Sequence, residues 1–267
     1  MIQLDNKNVA SGSFDGIKIW NTTGSIYAST LNEHTNILSL LKLKNGNFVS
    51  GSLDSTIKIW SIIKKKCIAT LTEHTAGVYG LVELSNGNIA SAALDGIKIW
   101  DTKTNKCLST LKGHSNLIND LIQLYDGNIA SVSSDKTIKI WDVSNGKCMT
   151  TLTGHQESIN SVVELDNGFI ATASDDESIK IWDLKAKKCI TTLNGHTGSI
   201  NSIIKLRNGD IVSGSSDKNI KIWDTQTHQC IDTLFGHVAA IRDLIELKDG
   251  TIASGSSDRT IKLWKKF

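Results

Sequence analysis

The sequence contains no proline, five cysteines and only two methionines, and its charges almost cancel. The 29 lysines and arginines stand against 27 aspartates and glutamates, and the net charge of +2 argues against a nucleic-acid partner held by bulk electrostatics. No apolar run approaches a membrane-spanning length, and residues 1–8 lack the apolar core of a secretion signal. We therefore expect neither a nucleic-acid nor a membrane partner, and an intracellular, cytoplasmic location with the nucleus left open.

The usual signatures of catalytic and cofactor sites are missing as well. The sequence has no Cys-x-x-Cys pair, no glycine-rich phosphate loop, no Gly-x-Ser-x-Gly elbow and no singular cluster of carboxylates or metal ligands. We therefore expect a protein that is not an enzyme, with no catalytic residue, no metal and no cofactor.

Tryptophan marks a repeat that runs through the whole chain. The steps between successive tryptophans are 40, 40, 41, 41, 41 and 41 residues, and a fixed period of this length predicts a repeat architecture. The seven residues of the series are Trp20, Trp60, Trp100, Trp141, Trp182, Trp223 and Trp264.

One repeat, residues 196–237, predicts four short strands and no helix. Apolar or alternating segments cover 200–206, 211–216, 220–223 and 230–234, and turn residues such as Asn208-Gly209 separate them. One repeat is then one antiparallel sheet, which cannot bury both of its faces alone. Seven such sheets stacked radially can, which predicts an all-β, seven-bladed β-propeller.

The recurring elements resemble the WD-repeat family of β-propellers. Its Gly-His pair stands at His114, His155, His196 and His237, while Glu33 and Glu73 replace the glycine before His34 and His74. The Trp-Asp pair is literal at Trp100, Trp141, Trp182 and Trp223. The resemblance implies a single propeller domain over residues 1–267 and, for most of the family, a rigid, non-catalytic scaffold for protein–protein interaction.

The resemblance also implies a structural quartet of His, Ser or Thr, Asp and Trp in each blade. Each group can satisfy the next by hydrogen bonding, so the set tolerates burial, and its sixfold occurrence argues against a hydrolytic triad. Blade one has Ser11, Asp15 and Trp20 without a histidine. The other quartets are His34, Ser50, Asp54, Trp60; His74, Ser91, Asp95, Trp100; His114, Ser131, Asp135, Trp141; His155, Thr172, Asp176, Trp182; His196, Ser213, Asp217, Trp223; and His237, Ser254, Asp258, Trp264.

The two ends of the sequence leave the ring of repeats incomplete. Alignment of Ser11 with Ser254 predicts a truncated first blade, and only Lys265-Lys266-Phe267 follow Trp264, so the last blade should lack its outer strand. Two explanations stay open. The chain is a fragment of a longer protein, or the ring closes through inner strands alone with low stability at that seam.

The loops around each quartet form the expected partner-binding surface. Blades one to three place apolar residues there, namely Phe14, Leu53, Tyr79 and Leu94, whereas later blades place polar and charged ones, including Arg242 and Arg259. The partner is expected to be another protein or a peptide, and the chain a monomer or a subunit of a hetero-complex. The alternative is a substrate-recognition module of a ubiquitin ligase complex, reading phosphate through Arg242 and Arg259.

Three further rows of residues repeat with the blades. The cysteines are expected to be small buried hydrophobes, the repeated Asn119, Asn160 and Asn201 to form a solvated, hydrogen-bonded ring lining a channel, and the lysines before each Ile-Trp or Leu-Trp pair to be edge-exposed and solvated. The rows are Cys67, Cys107, Cys148, Cys189 and Cys230; Ser39, Tyr79, Asn119, Asn160, Asn201 and Arg242; and Lys18, Lys58, Lys98, Lys139, Lys180, Lys221 and Lys262.

Overall fold

A computed structural model describes residues 1–5, 7–22 and 27–265, and these fold into 27 strands with no helix. The fold is a seven-bladed β-propeller of antiparallel sheets, six with four strands and the last with three in the part described. This confirms the predicted fold class.

The strands follow the chain in order, from the first to the last strand of each blade. Blade one holds β1 (Ile2–Gln3), β2 (Asn8–Ser13), β3 (Gly16–Asn21) and β4 (Tyr27–Leu31); blade two β5 (Ile37–Lys42), β6 (Phe48–Ser52), β7 (Ile57–Ser61) and β8 (Lys66–Leu71); blade three β9 (Gly80–Glu83), β10 (Ile89–Ala93), β11 (Gly96–Asp101) and β12 (Lys106–Leu111); blade four β13 (Ile118–Gln123), β14 (Ile129–Ser133), β15 (Thr137–Asp142) and β16 (Lys147–Thr153). Blade five holds β17 (Ile159–Glu164), β18 (Ile170–Ser174), β19 (Ser178–Asp183) and β20 (Lys188–Asn194); blade six β21 (Ile200–Lys205), β22 (Ile211–Ser215), β23 (Ile220–Trp223) and β24 (Cys230–Leu234); blade seven β25 (Ile241–Glu246), β26 (Ile252–Ser256) and β27 (Ile261–Trp264).

The ends of the strand series agree with the repeat alignment. The first strand of blade one, β1, has two residues, where the first strand of blade six, β21, has six. Within the residues that the structure describes, blade seven ends at its third strand, β27. The truncated first blade and the missing outer strand of the last blade are therefore confirmed.

The chain divides into two compact units, which we describe separately. Unit 1 comprises residues 1–129 and 141–148, and unit 2 comprises residues 130–140 and 149–267. The interpretation of residues 1–267 as a single domain stays a prediction.

In both units the apolar core lies between the sheets of neighbouring blades. In unit 1, Ile57 and Val49 of blade two pack in one cluster with Trp100 of blade three. In unit 2, Ile179 of blade five shares a cluster with Trp223 of blade six. The five internal tryptophans are at most 1% exposed, because sheets cover them on both faces.

The turn between the first and second strands is closed by a glycine in the left-handed region. Gly87 has φ +83° and donates its N–H to Leu84 O at 2.9 Å. The next blade fastens such turns through the last residue of its first strand. Glu83 accepts from Lys44 N at 2.8 Å, Gln123 from Ser85 N at 2.7 Å, and Glu246 from Arg207 N at 3.0 Å.

The prediction that the cysteines are buried hydrophobes is wrong. Cys148 and Cys230 are exposed and the other three are half-buried, because all five lie on the outermost strands. Cys189 donates its S–H to Thr191 O at 3.3 Å, which shows how the backbone accommodates the thiol. Among the residues that the structure describes, none of the five cysteines forms a disulfide.

Candidate functional site

Blade six shows the geometry of the quartet most simply. His196 Nδ1 lies 2.6 Å from Asp217 Oδ2, His196 Nε2 lies 2.7 Å from Ser213 Oγ, and Trp223 Nε1 donates to the same Oγ at 2.8 Å. Because a carboxylate can only accept, the imidazole proton sits on Nδ1 and the serine hydroxyl donates to Nε2. Asp217 also accepts the backbone N–H groups of Thr197 and Asn219 at 3.1 and 2.9 Å, so every member is satisfied.

The same network recurs in blades three, five and seven, where the histidine also precedes the serine or threonine by 17 residues. The His Nδ1 to Asp distances are 2.6 Å for His74–Asp95, 2.8 Å for His155–Asp176 and 2.7 Å for His237–Asp258. The partner hydroxyls are Ser91, Thr172 and Ser254, and the indole donors are Trp100, Trp182 and Trp264. In blade four the rings of His114 and Trp141 lie 6.0 Å apart, and in blade one Trp20 donates to Ser11 at 2.7 Å.

Blade two departs from this pattern because its loop is one residue shorter. Ser50 follows His34 by 16 residues, and the ring is turned so that Nδ1 faces Ser50 Oγ at 2.6 Å. Nε2 then carries the proton and faces Thr56 Oγ1 at 3.0 Å, which in turn donates to Asp54 at 2.7 Å. The Asp54 side chain is 42% exposed, compared with 5% for Asp217.

Electrostatics keep these groups out of proton-transfer chemistry. Burial lowers the pKa of His34, His74, His155 and His196 despite the opposing effect of the nearby carboxylates, so the imidazoles are neutral. Burial alone would raise the pKa of Asp176, but hydrogen bonds from Ser178, from the Gln156 backbone and from His155 hold it at about 2. In blades three, five, six and seven each member of the quartet has a hydrogen-bond partner within the network.

The lysine row joins the quartets, so the prediction that it is solvated is wrong. Lys221 is half-buried and its Nζ donates to Thr233 Oγ1 on the fourth strand at 3.0 Å. Lys98 repeats this bond to Thr110 at 3.2 Å and lies 3.7 Å from Asp95. The recurrence of a threonine twelve residues after each of these lysines was a sequence signal for the pair.

The rim of unit 2 is built from hydrogen-bonded polar pairs. The first strand has a β-bulge at its second residue in blades five, six and seven, and this bulge side chain bonds to the residue just before the turn aspartate. Asn160 donates to Asp175 at 2.7 Å, Asn201 to Ser216 at 3.1 Å, and Arg242 to Ser257 at 2.8 Å. Asn160 and Asn201 also bond to the carbonyls of Ile200 and Ile241 in the next blade, so the expected hydrogen bonding is confirmed for these two half-buried side chains.

In blades two and three, which lie in unit 1, the same pairs of positions hold apolar side chains. The bulge of blade two falls between Ile37 and Ser39, so Leu38, and not Ser39 as the sequence alignment suggested, corresponds to Asn201. The one-residue deletion after His34 caused that error. The matching pairs are Leu38 with Leu53 in blade two and Tyr79 with Leu94 in blade three.

These residues form a connected surface with Phe14 of blade one, which we call the apolar arc: Phe14, Leu38, Leu53, Tyr79 and Leu94. Asn36 N donates to Phe14 O at 2.8 Å, and Leu53 N donates to Asn36 O at 3.0 Å. Leu38 and Leu53 both pack over Gly77, where an added Cβ would lie 3.2 and 3.1 Å from their Cδ1 atoms. Phe14 is 81% exposed, Leu53 and Leu94 are each more than half exposed, and Tyr79 is partly buried.

The charged residues that directly follow a turn aspartate belong to unit 2. The residue after each turn aspartate is left-handed, and in unit 1 it is Gly16, Ser55 or Gly96. In unit 2 the corresponding residues are Lys136, Glu177, Lys218 and Arg259, with φ between +66° and +75°. The structure therefore places Arg259 on a turn and Arg242 in a bond to Ser257, both apart from the apolar arc in sequence and in unit.

Among the described residues, no group of three or more histidine, cysteine, aspartate or glutamate side chains could hold a metal ion. The part of the chain that the structure describes also contains no helix that is long and apolar enough to cross a membrane.

A model of the WD40 repeat (WD domain, G-beta repeat) matches six segments that cover most of the chain: 26–61, 65–101, 105–142, 146–183, 187–224 and 228–265. The chain belongs to the WD40 family. Each matched segment ends at or just after the third strand of a blade, so the family covers blades two to seven, and blade one joins them as a seventh sheet.

The solved structures agree with the WD40 fold. The crystal structure of the WD40 β-propeller domain of Doa1 matches with a TM-score of 0.90 over 100% of this chain and 92% of that one, at 23% sequence identity. At this identity the likeness establishes the fold alone. No curated protein sequence matches the chain. WD40 propellers generally bind other proteins, and the family is typically non-catalytic.

Proposed function

We propose that this WD40 propeller is a non-catalytic protein-interaction scaffold that binds its partner through the apolar arc. The proposal rests on two equivalent positions of the blades, one at the start of the first strand and one just before the turn aspartate. Some blades have a hydrogen-bonded polar pair at these positions and others have an apolar pair. Unit 2 has the bonded pairs Asn160–Asp175, Asn201–Ser216 and Arg242–Ser257, whereas unit 1 has Leu38–Leu53 and Tyr79–Leu94.

The apolar pairs give up hydrogen bonds without gaining full burial. Asn201 bonds to Ile241 O of the next blade at 2.7 Å, and in blade two the equivalent carbonyl, Val78 O, accepts from Ser39 Oγ at 3.1 Å, so what Leu38 gives up is the bond to the turn residue. Leu38 and Leu53 are exposed instead, so the apolar area that could offset the loss is still in water. A contiguous exposed apolar surface of this kind is typical of a protein-binding site.

The surroundings of the arc indicate the character of the partner. The left-handed turn residues beside it are Gly16, Ser55 and Gly96, which carry no charge and little bulk. A partner segment with aliphatic or aromatic anchors would therefore meet small uncharged turn residues, with the exposed carboxylates of Asp15 and Asp54 at their side. We expect a soluble protein or peptide partner in the cytoplasm.

The alternative role, reading phosphorylated substrates for a ubiquitin ligase, is not adopted. Phosphate recognition needs clustered guanidinium groups, but Arg242 is bonded to Ser257 and the acidic residues Asp175 and Glu177 share the loop face of unit 2 with Arg259.

The test exchanges the pairs between blades. Partners cross-linked to the wild-type chain in cells are identified, and one is purified for titration. Leu38→Asn with Leu53→Ser rebuilds the blade-six pair in blade two and should weaken binding by at least ~10-fold. The control, Asn201→Leu with Ser216→Leu, makes the opposite change in blade six and should leave affinity within about twofold. Equal losses in both variants, or no loss in the first, would overturn the proposal.

A further inference from the structure

The end of unit 1 opposite the apolar arc carries a set of exposed lysines. In each antiparallel sheet the loop between the third and fourth strands lies at the same end as the first turn, and Thr102 Oγ1 of one such loop donates to Gly87 O of one such turn at 2.9 Å. The bonds Lys44 N to Glu83 and Ser85 N to Gln123 place these ends of blades two, three and four side by side. We call this surface the lysine face.

The loops between the third and fourth strands on the lysine face carry a net positive charge. Residues 61–66, 101–106 and 142–147 contain six lysines and two aspartates, a net charge of +4 in a protein whose total is +2. All six lysines are exposed: Lys64, Lys65, Lys66, Lys103, Lys106 and Lys147. The two aspartates bond to their own loops, Asp101 to the Lys103 backbone at 2.7 Å and Asp142 to Ser144 at 2.8 Å.

The loop of blade two differs from the others in two ways. Ser61 stands where its neighbours have Asp101 and Asp142, so no carboxylate offsets Lys64, Lys65 and Lys66. Ser61 Oγ still accepts Lys64 N at 3.2 Å, and Lys65 is left-handed at φ +51°, so the loop keeps a defined turn.

At the tip of that turn an aliphatic side chain points into water. Ile63 is 94% exposed at the position where blades three and four have Lys103 and Ser144. On the same face, Tyr125 in the first turn of blade four is 73% exposed. An exposed aliphatic tip flanked by lysines, with a tyrosine nearby, matches the composition of segments that lie in a membrane interface.

We propose that the lysine face of unit 1 docks on an anionic lipid bilayer, with Ile63 inserted among the headgroups and Lys64, Lys65 and Lys66 against their phosphates. The expectation of no membrane partner rested on the lack of a spanning segment, which surface docking does not need. Lysine is a point charge that suits a diffuse anionic surface, and these loops contain no arginine for bidentate contacts. Ile63 offers no ring on which a nucleic-acid base could stack. Docking on this face leaves the apolar arc, at the other end of the same sheets, open to a partner.

The test is co-sedimentation of the 267-residue chain with phosphatidylcholine vesicles that contain or lack phosphatidylserine. We expect binding only with phosphatidylserine, and less of it as salt rises. Lys64→Gln with Lys65→Gln and Lys66→Gln should lower the partition constant on the order of 100-fold. Ile63→Ser, which leaves every charge in place, should lower it about tenfold.

A second triple variant distinguishes binding at Lys64–Lys66 from a general effect of the net charge of the protein. Lys136→Gln, Lys218→Gln and Arg259→Gln remove the same charge from turns beside the quartets and should change the partition by less than about twofold, with thermal transitions checking that each variant folds. Equal binding to neutral vesicles, equal loss in the two triple variants, or no effect of Ile63→Ser would overturn the proposal. So would binding of duplex DNA or of a poly-glutamate peptide that depends on Lys64–Lys66 without any binding to vesicles.

Discussion

Blades two and six build the same rim from opposite chemistry. Asn201 and Ser216 of blade six bond to each other, and Asn201 also bonds to the next blade, while Leu38 and Leu53 of blade two stand at the same positions and face solvent. Both blades have the same bulge, turn and buried histidine, so the fold does not dictate the difference. The comparison shows that the propeller scaffold tolerates either pair. The exposure of Leu38 and Leu53 is therefore better explained by binding to a partner than by the fold.

The quartets extend the comparison from the rim to the interior. Asp217 is nearly buried and accepts from His196 at 2.6 Å and from two backbone N–H groups, whereas the exposed Asp54 lies 3.4 Å from His34 Nε2 and accepts from Thr56. The largest predicted effect follows from this contrast. Asp217→Asn should lower the free energy of unfolding by about 2 kcal/mol, because a buried N–H group loses its acceptor.

The matched variant in blade two should be much milder. Asp54→Asn should cost less than about 1 kcal/mol, since water can replace the contacts of an exposed carboxylate. Urea unfolding of the two variants measures both values. Similar costs would show that the shorter loop of blade two has no energetic consequence.

The next effect concerns the polar rim. Asn201→Leu with Ser216→Leu should destabilise the chain by roughly 1–2 kcal/mol, because the bond to Ile241 O is lost and a carbonyl at the blade junction is left without its donor. The midpoint of urea unfolding checks it. A variant as stable as the wild type would remove the argument that unit 1 gives up stability at its rim.

The smallest expected effect is the change in the free energy of unfolding in mild acid. It involves buried histidines of both units. Burial holds the pKa of His34, His74, His155 and His196 below the ordinary value of 6.5, so the unfolded chain binds more protons there. Stability is therefore full above about pH 6.5 and declines as the pH falls through 6.5. A second decline should begin below 3.8, where Asp176, with its folded pKa of about 2, takes up a proton on unfolding.

Calorimetry across this range provides the measurement. The thermal midpoint should be flat above neutrality and fall on acidification. A midpoint that rises between pH 7 and pH 5.5 would mean that the imidazoles are charged in the folded chain, and the neutral quartet would be wrong.

The repeat of about 40 residues and the alternation of apolar and polar residues were enough to predict the strands, because the tryptophans and the glycine-containing turns recur at the same positions from repeat to repeat. The sheet order, the three-stranded last blade and the strand limits of 200–234 followed from them. Leu38 was missed because a single deletion after His34 shifts the count, and only the position of the bulge restores it. The cysteines were misjudged because an outer strand has a sheet neighbour on one side only, which leaves its small side chains partly in water, and the lysines because the sequence does not show that each Nζ meets a threonine of the neighbouring strand.

The same limit applies to the apolar arc. Sequence alone brought Phe14, Leu53, Tyr79 and Leu94 to one set of loops, but it could not show that each bulge side chain faces a turn residue. That pairing depends on the register between the first two strands. Once the register is known, the apolar pairs of blades two and three can be compared with the polar pairs at the same positions in other blades.

The measurement that tests the central claim most directly is the unfolding free energy of Leu38→Asn with Leu53→Ser. If the leucines are exposed for a partner, the polar pair of blade six can replace them, and stability should stay within about 0.5 kcal/mol of the wild type or rise. A loss of more than about 1 kcal/mol would contradict the account, because it would mean that the two side chains hold blade two together instead of presenting a surface.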